Sequence, residues 1–147
     1  MCIRDRLGLK HQMLPVNLLK GFSSIDASKS YSICKESMKE DIKQYSQKLG
    51  VDGQGLLKNL VNIFDLFGLG DLEIEDVNTE SKTAILKIID KNFRDNYTAD
   101  DKICHTVTAG ILAGMFSFVF SDDMNCIEVQ CMAFGYDSCK FMVKKEF

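Results

Sequence analysis

Four side chains in the last third of the chain constrain its fold more than any other feature. Glu128 and Cys131 stand as E-x-x-C, Cys139 follows eight positions later, and Cys104 precedes the glutamate by twenty-four. Thiolate sulfur and carboxylate oxygen both bind zinc, and a set of four protein ligands closes a structural site. The spacing lacks the paired C-x-x-C units of a common zinc module. It therefore also fits small buried cysteines beside a surface carboxylate.

A longer pattern surrounds these residues. Cys104, the small residues Ala109-Gly110 and Ala113-Gly114, and then Glu128-x-x-Cys131-x-Ala133-x-Gly135-x-x-x-Cys139-x-Phe141 resemble the 4-vinyl reductase domain family. The ending C-x-A-x-G-x-x-x-C-x-F is the specific part. The resemblance covers residues 104–143, and a looser succession of helices and strands extends it back to about residue 14. The family includes sensor domains of aromatic-responsive transcriptional activators, small archaeal stand-alone proteins and a protein linked to bacteriochlorophyll synthesis. Its sensor members hold a structural zinc with cysteines and a glutamate and pair as homodimers. The resemblance implies zinc on Cys104, Glu128, Cys131 and Cys139. It also implies a fold shared with subunits of a vesicle-tethering complex and with haem-based nitric-oxide sensors. No motif in this chain carries a haem.

A length of 147 residues suits one domain. With 46% hydrophobic and 27% charged residues the composition is that of an ordinary soluble globular protein. The net charge of −3, without a lysine or arginine block, gives no reason to expect nucleic-acid or membrane-surface binding. Six cysteines with no signal peptide suggest a reducing, cytoplasmic setting. The longest apolar run, Ile111 to Phe120, is too short to span a membrane. Residues 1–6, MCIRDR, read as the in-frame translation of a sequencing adaptor. The expected domain is then 7–147, with its own N-terminal part truncated.

Along the chain, Pro15 and the apolar residues after it suggest a short helix over 14–22. A longer helix over about 25–49 follows a cap at Ser23-Ser24. Its stripe is Tyr31, Cys34, Met38, Ile42, Tyr45 and Leu49. Lys35, Glu36, Lys39, Glu40, Asp41 and Lys43 would form its solvated face. Cys34 reads as core. Gly50 ends the helix. Leu56 to Phe67 reads as one very apolar helix, buried on more than one side. Its second side could serve core packing, a ligand pocket or a dimer contact. Strands are expected at Leu72–Glu75 and Thr83–Ile89, joined as a hairpin through 78–82. A polar loop over 90–100 leads to a helix over about 99–120. There Gly110, Ala113 and Gly114 allow close approach to the sheet or to a second subunit. Cys104 sits near that helix's start, where the dipole favours a thiolate. His105 reads as a capping or surface residue.

Strands over 125–134 and 138–144 complete the pattern, with Cys126, Glu128 and Gln130 on one face and Ile127 and Val129 on the other. A regular strand would send Glu128 and Cys131 to opposite faces. A shared metal therefore requires a bulge, or a strand that ends before Cys131.

The resulting fold is α+β, a four-stranded antiparallel sheet of two hairpins with helices largely on one face. No nucleophile–base pair, phosphate loop or dinucleotide fingerprint stands out. The favoured function is a zinc-stabilised, regulatory, sensor-type domain that binds a small apolar ligand without catalysis and forms a homodimer. The pocket is expected between the 56–67 helix, the strands and the 104–120 helix, lined by Ile63, Phe64, Phe67, Leu86, Ile88, Ile111 and Met115. Two alternatives stay open: a reductase or accessory factor acting on tetrapyrrole vinyl groups, and a structural dimerisation module. The chain has no tryptophan, which the aromatic-sensing relatives use in their pocket. The ligand's identity is accordingly left open.

Overall fold

Two short strands, β1 (Cys2–Arg4) and β2 (Lys10–Gln12), pair antiparallel in a stretch whose sequence shows no period. They belong to a computed structural model that describes residues 2–4, 10–12, 26–66, 68–89 and 104–147. The helix expected over 14–22, the cap at Ser23-Ser24 and the loop over 90–100 lie outside the described residues, as does Phe67.

The three- and four-residue apolar steps produce α1 (Ala27–Leu49). Asp26 caps it, its carboxylate accepting from the Lys29 N–H at 3.0 Å. Gly50 ends it in the left-handed conformation at φ 66°. Met38, Ile42 and Tyr45 are buried as expected, whereas Leu49 is 38% exposed. Lys35 departs from the expected solvated face and is buried. Its Nζ reaches Asn125 Oδ1 at 3.1 Å and Asp123 Oδ1 at 3.0 Å, so both its charge and its donors find partners.

The apolar run after Gly50 folds as two short helices instead of one, α2 (Gly53–Leu57) and α3 (Leu60–Leu66). The Asp52 side chain caps α2 at Gly55 N–H, 2.8 Å away. Leu56, Leu60, Ile63 and Phe64 enter the core, while Val61 stays 40% exposed.

β3 (Asp71–Asn78) and β4 (Thr83–Ile89) form the first hairpin. Asn78 Oδ1 organises the turn by accepting from the N–H groups of Glu80 and Ser81 at 3.0 and 2.9 Å. α4 (Cys104–Val119) then crosses to the second hairpin, β5 (Asn125–Gln130) and β6 (Cys139–Lys144). The order is β3-β4-β6-β5, antiparallel throughout. The register aligns buried residues across the sheet: Leu72 with Ile88 and Cys139, Leu86 with Phe141, and Ala84 with Val143 and Cys126. Each of the large side chains buried this way contributes on the order of 1.5–3 kcal/mol.

The small residues of α4 serve an approach to α1, not to the sheet. A Cβ at Gly110 would lie 2.6 Å from the Tyr31 carbonyl oxygen, and one at Gly114 2.5 Å from that of Lys35. Only glycine lets the two backbones meet so closely. Of the residues expected to line a ligand pocket, Ile63, Phe64, Leu86, Ile88 and Met115 are buried in one continuous core. Ile111 packs half-buried against it. Among the described residues no helix is long and apolar enough to cross a membrane.

Candidate metal centre

β5 solves the problem of facing directions twice over. Its pairing with β6 shifts register between Glu128 and Gln130, and the strand ends at Gln130. Cys131 then takes an extended conformation and caps a single 3-10 turn over Met132–Phe134, which Gly135 closes at φ 90°. The bulge and the early end together place Glu128, Cys131 and Cys139 on one side. Ile127 and Val129 are exposed on the opposite face, as the alternation requires.

Among the described residues His105 completes the group. One ligand atom each from His105, Glu128, Cys131 and Cys139 lies within 4.8 Å of the other three. That is close to twice a zinc–sulfur bond, about 4.6 Å. The cluster could hold a metal ion. His105 is buried, not a capping or surface residue, and its ring stacks on Phe141 of β6 at a centroid distance of 6.3 Å. The side chain of Cys104 lies outside the described residues. Its backbone opens α4 as expected.

Helix phase explains why the histidine is the residue brought inward. His105, Ala109, Leu112 and Phe116 are all buried and follow at steps of four, three and four. That periodicity was available in the sequence and would have singled out His105.

The donors are held by ordinary local geometry. Cys131 Sγ accepts from the Ala133 N–H at 3.3 Å, and Cys139 Sγ accepts from the Met132 N–H at 3.3 Å. Such N–H···S contacts orient sulfur and favour thiolate. His105 Nε2 lies 3.6 Å from Cys131 Sγ, while its Nδ1 lies 2.6 Å from Glu128 Oε1. That last contact lacks hydrogen-bond alignment, for Oε1 is buried and without a hydrogen-bond partner. A buried carboxylate oxygen with no aligned donor is costly. A cation beside it would satisfy that oxygen, and the donor set fits one.

Burial pushes the Cys131 and Cys139 thiols above their usual range. The Glu128 charge adds to this, and the turn N–H groups oppose it. Without a cation these sulfurs keep their protons at neutral pH. A divalent ion reverses that preference, since a coordinating thiol is deprotonated outright. Cys126, buried on the same face of β5, is not in the cluster, and burial raises its thiol too.

Residues 84–145 match the model of the V4R domain. Two uncharacterised proteins of Methanocaldococcus jannaschii are similar. One is 34% identical over 89 residues, covering 60% of this chain and 55% of the relative. The other is 26% identical over 136 residues, covering 92% and 71%. The chain thus spans little more than half the length of the first. Among solved structures, the phenol-responsive sensory domain of the transcription activator PoxR, crystallised with phenol, superposes with a TM-score of 0.73. Its identity is 14%, and the match covers 93% of this chain and 77% of that one. A trafficking protein particle complex subunit 3 from Naegleria fowleri, covalently bound to palmitic acid, gives 0.62 at 12% identity, covering 89% and 87%. A vinyl-4-reductase family protein from M. jannaschii gives 0.63 at 25% identity, covering 93% and 85%. The resemblance read from the cysteine motif therefore stands, and it is over residues 84–145 that the chain matches the V4R domain.

Proposed function

We propose that this chain is a sensor-type domain, regulatory and without catalysis, whose C-terminal hairpin is fixed to α4 by a structural zinc. The observation that carries the reading is the convergence of four donor atoms around the buried, unaligned Oε1 of Glu128. Two sulfurs, an imidazole nitrogen and a carboxylate oxygen form a set typical of zinc, softer than magnesium or calcium accept. Among the described residues His105, Glu128, Cys131 and Cys139 would hold the ion. The ion supplies cross-linking: it ties α4 to both strands of the second hairpin.

The ligand-binding half of the reading draws on the fold. Two structures of similar architecture hold a small or lipid-like molecule, phenol in one and palmitic acid in the other. In this chain an apolar ligand would part the side chains of α3, β4 and α4, with Ile63, Phe64, Phe67, Leu86, Ile88, Ile111 and Met115 as its lining. A two-fold dimer fits the apolar surface left on α3, where Val61 is exposed. Native mass spectrometry of gently purified protein tests these points together. The expected species is a dimer retaining one metal ion per chain and an apolar small molecule. A metal-free monomer with no retained molecule would contradict the reading.

A further inference from the structure

Phe141 of β6 adjoins three of the four donors. It follows Cys139 by two positions and faces the same side, for both are buried in an alternating strand. It pairs directly with Glu128 on β5 and with Leu86 on β4, so strands on both sides hold its backbone. The imidazole of His105, arriving from the first turn of α4, stacks on its ring at 6.3 Å between centroids and 17° between planes. Offset-stacked aromatic pairs lie about 4.5–7 Å apart, and this one is among them. The polar contacts of His105 leave one freedom open. Its Nδ1 is 2.6 Å from Glu128 Oε1 and its Nε2 3.6 Å from Cys131 Sγ. Those contacts fix where the two nitrogens lie, but the ring can still tilt about the line that joins them.

We infer that Phe141 is a positioning residue for the metal centre, its ring setting the plane of the His105 imidazole. This rests on the metal reading given above. An imidazole nitrogen offers its lone pair in the plane of the ring, so the tilt decides whether that nitrogen can serve as a donor. Partners behind a metal ligand commonly hold its orientation, by hydrogen bonds in most sites. Here the partner has no polar atom and works by shape. A flat ring, 1% exposed and carried on an inner strand of the sheet, lies nearly parallel to the imidazole and supports its face. An aliphatic side chain in its place would still fill the core, but it would present no plane.

The test compares Phe141→Leu with Val143→Ala in the whole chain, using cobalt(II), whose visible absorption reports the geometry of its ligands. Val143 is buried two positions further along the same face of β6 and is outside the donor group. Both variants should lower the Tm of the metal-free protein. Only Phe141→Leu should weaken cobalt binding, by at least about tenfold, and change the visible bands at saturating cobalt. Phe141→Met answers the same question should Phe141→Leu not fold. Wild-type affinity or a wild-type saturated spectrum in the Phe141 variant would overturn the inference while leaving the metal reading intact. So would an equal loss of affinity in Val143→Ala, which would make Phe141 a packing residue only. Failure of the wild-type chain to take up cobalt would overturn the metal reading and this inference with it.

Discussion

Glu128 Oε1 lies 2.6 Å from Nδ1 of His105, yet it is buried and no hydrogen-bond donor is aligned with it. The two groups come from β5 and from the first turn of α4, elements joined by a full helix and a loop. Among the described residues no hydrogen-bond partner completes Oε1. An ion shared with Cys131 and Cys139 would complete it and would part the two side chains from their close contact.

His105 should then be a ligand and not a packing residue. His105→Ala is expected to weaken metal binding at least about 100-fold, the upper range for removing even an indirect partner of a metal ligand. Cys34→Ser, on the α1–α4 contact, should leave metal binding unchanged. Metal affinity measured by competition with a chromogenic chelator decides this, and equal affinities for wild type and His105→Ala would contradict it.

Chelation should loosen the fold without abolishing it, because most of the core from α1 to β6 lies outside the site. At a thousandfold excess over Kd a bound ligand contributes ~4 kcal/mol. For a chain of this size each kcal/mol is worth about 2–4 °C. Stripping the metal should therefore lower Tm by roughly 8–16 °C in a calorimetric scan. An unchanged Tm would show that the cluster does not stabilise the fold through an ion.

The glycines of α4 give a prediction independent of the metal. A methyl at Gly114 meets the Lys35 carbonyl at 2.5 Å and the Met38 Cβ at 2.7 Å, so the helices must separate. Gly114→Ala should cost about 1–3 kcal/mol by overpacking. Denaturant unfolding should show the loss, and a wild-type midpoint would mean that α1 and α4 do not pack this closely.

Acid should loosen the α4–β5 connection. Hydrogen bonds from Lys82, then from the Asp123 N–H and Lys145, lower the Asp122 carboxyl from 3.8 to about 2. Hydrogen bonds from Lys39 and Lys35 lower Asp123 as well. A depressed folded-state pKa means that the unfolded chain binds protons first. The stabilisation is thus present above pH 4 and lost as pH falls towards 2. Lys82→Met should flatten the fall in stability across that window relative to wild type. Parallel curves would remove Asp122 from the account.

Much of this architecture was legible in the sequence, because period and punctuation agree. The steps of α1, the Asn78 turn, and the alternation of β4 and β6 each follow from local chemistry. Even the bulge in β5 was implied by the three-residue spacing of Glu128 and Cys131. What was not legible depends on tertiary contact. Lys35 looks like surface until Asn125 and Asp123 are folded over it. The Leu56–Phe67 run reads as one helix because apolar character is continuous, but the chain breaks at Lys58 and Asn59. The burial of His105 was missed because its place in the helix phase of Ala109, Leu112 and Phe116 went unused.

The central claim is a zinc held by His105, Glu128, Cys131 and Cys139, and elemental analysis of purified protein tests it most directly. One zinc per chain is expected in wild type and in Cys34→Ser, with none in Cys131→Ser or Cys139→Ser. Wild-type protein without stoichiometric metal, or full retention by both cysteine variants, would contradict it.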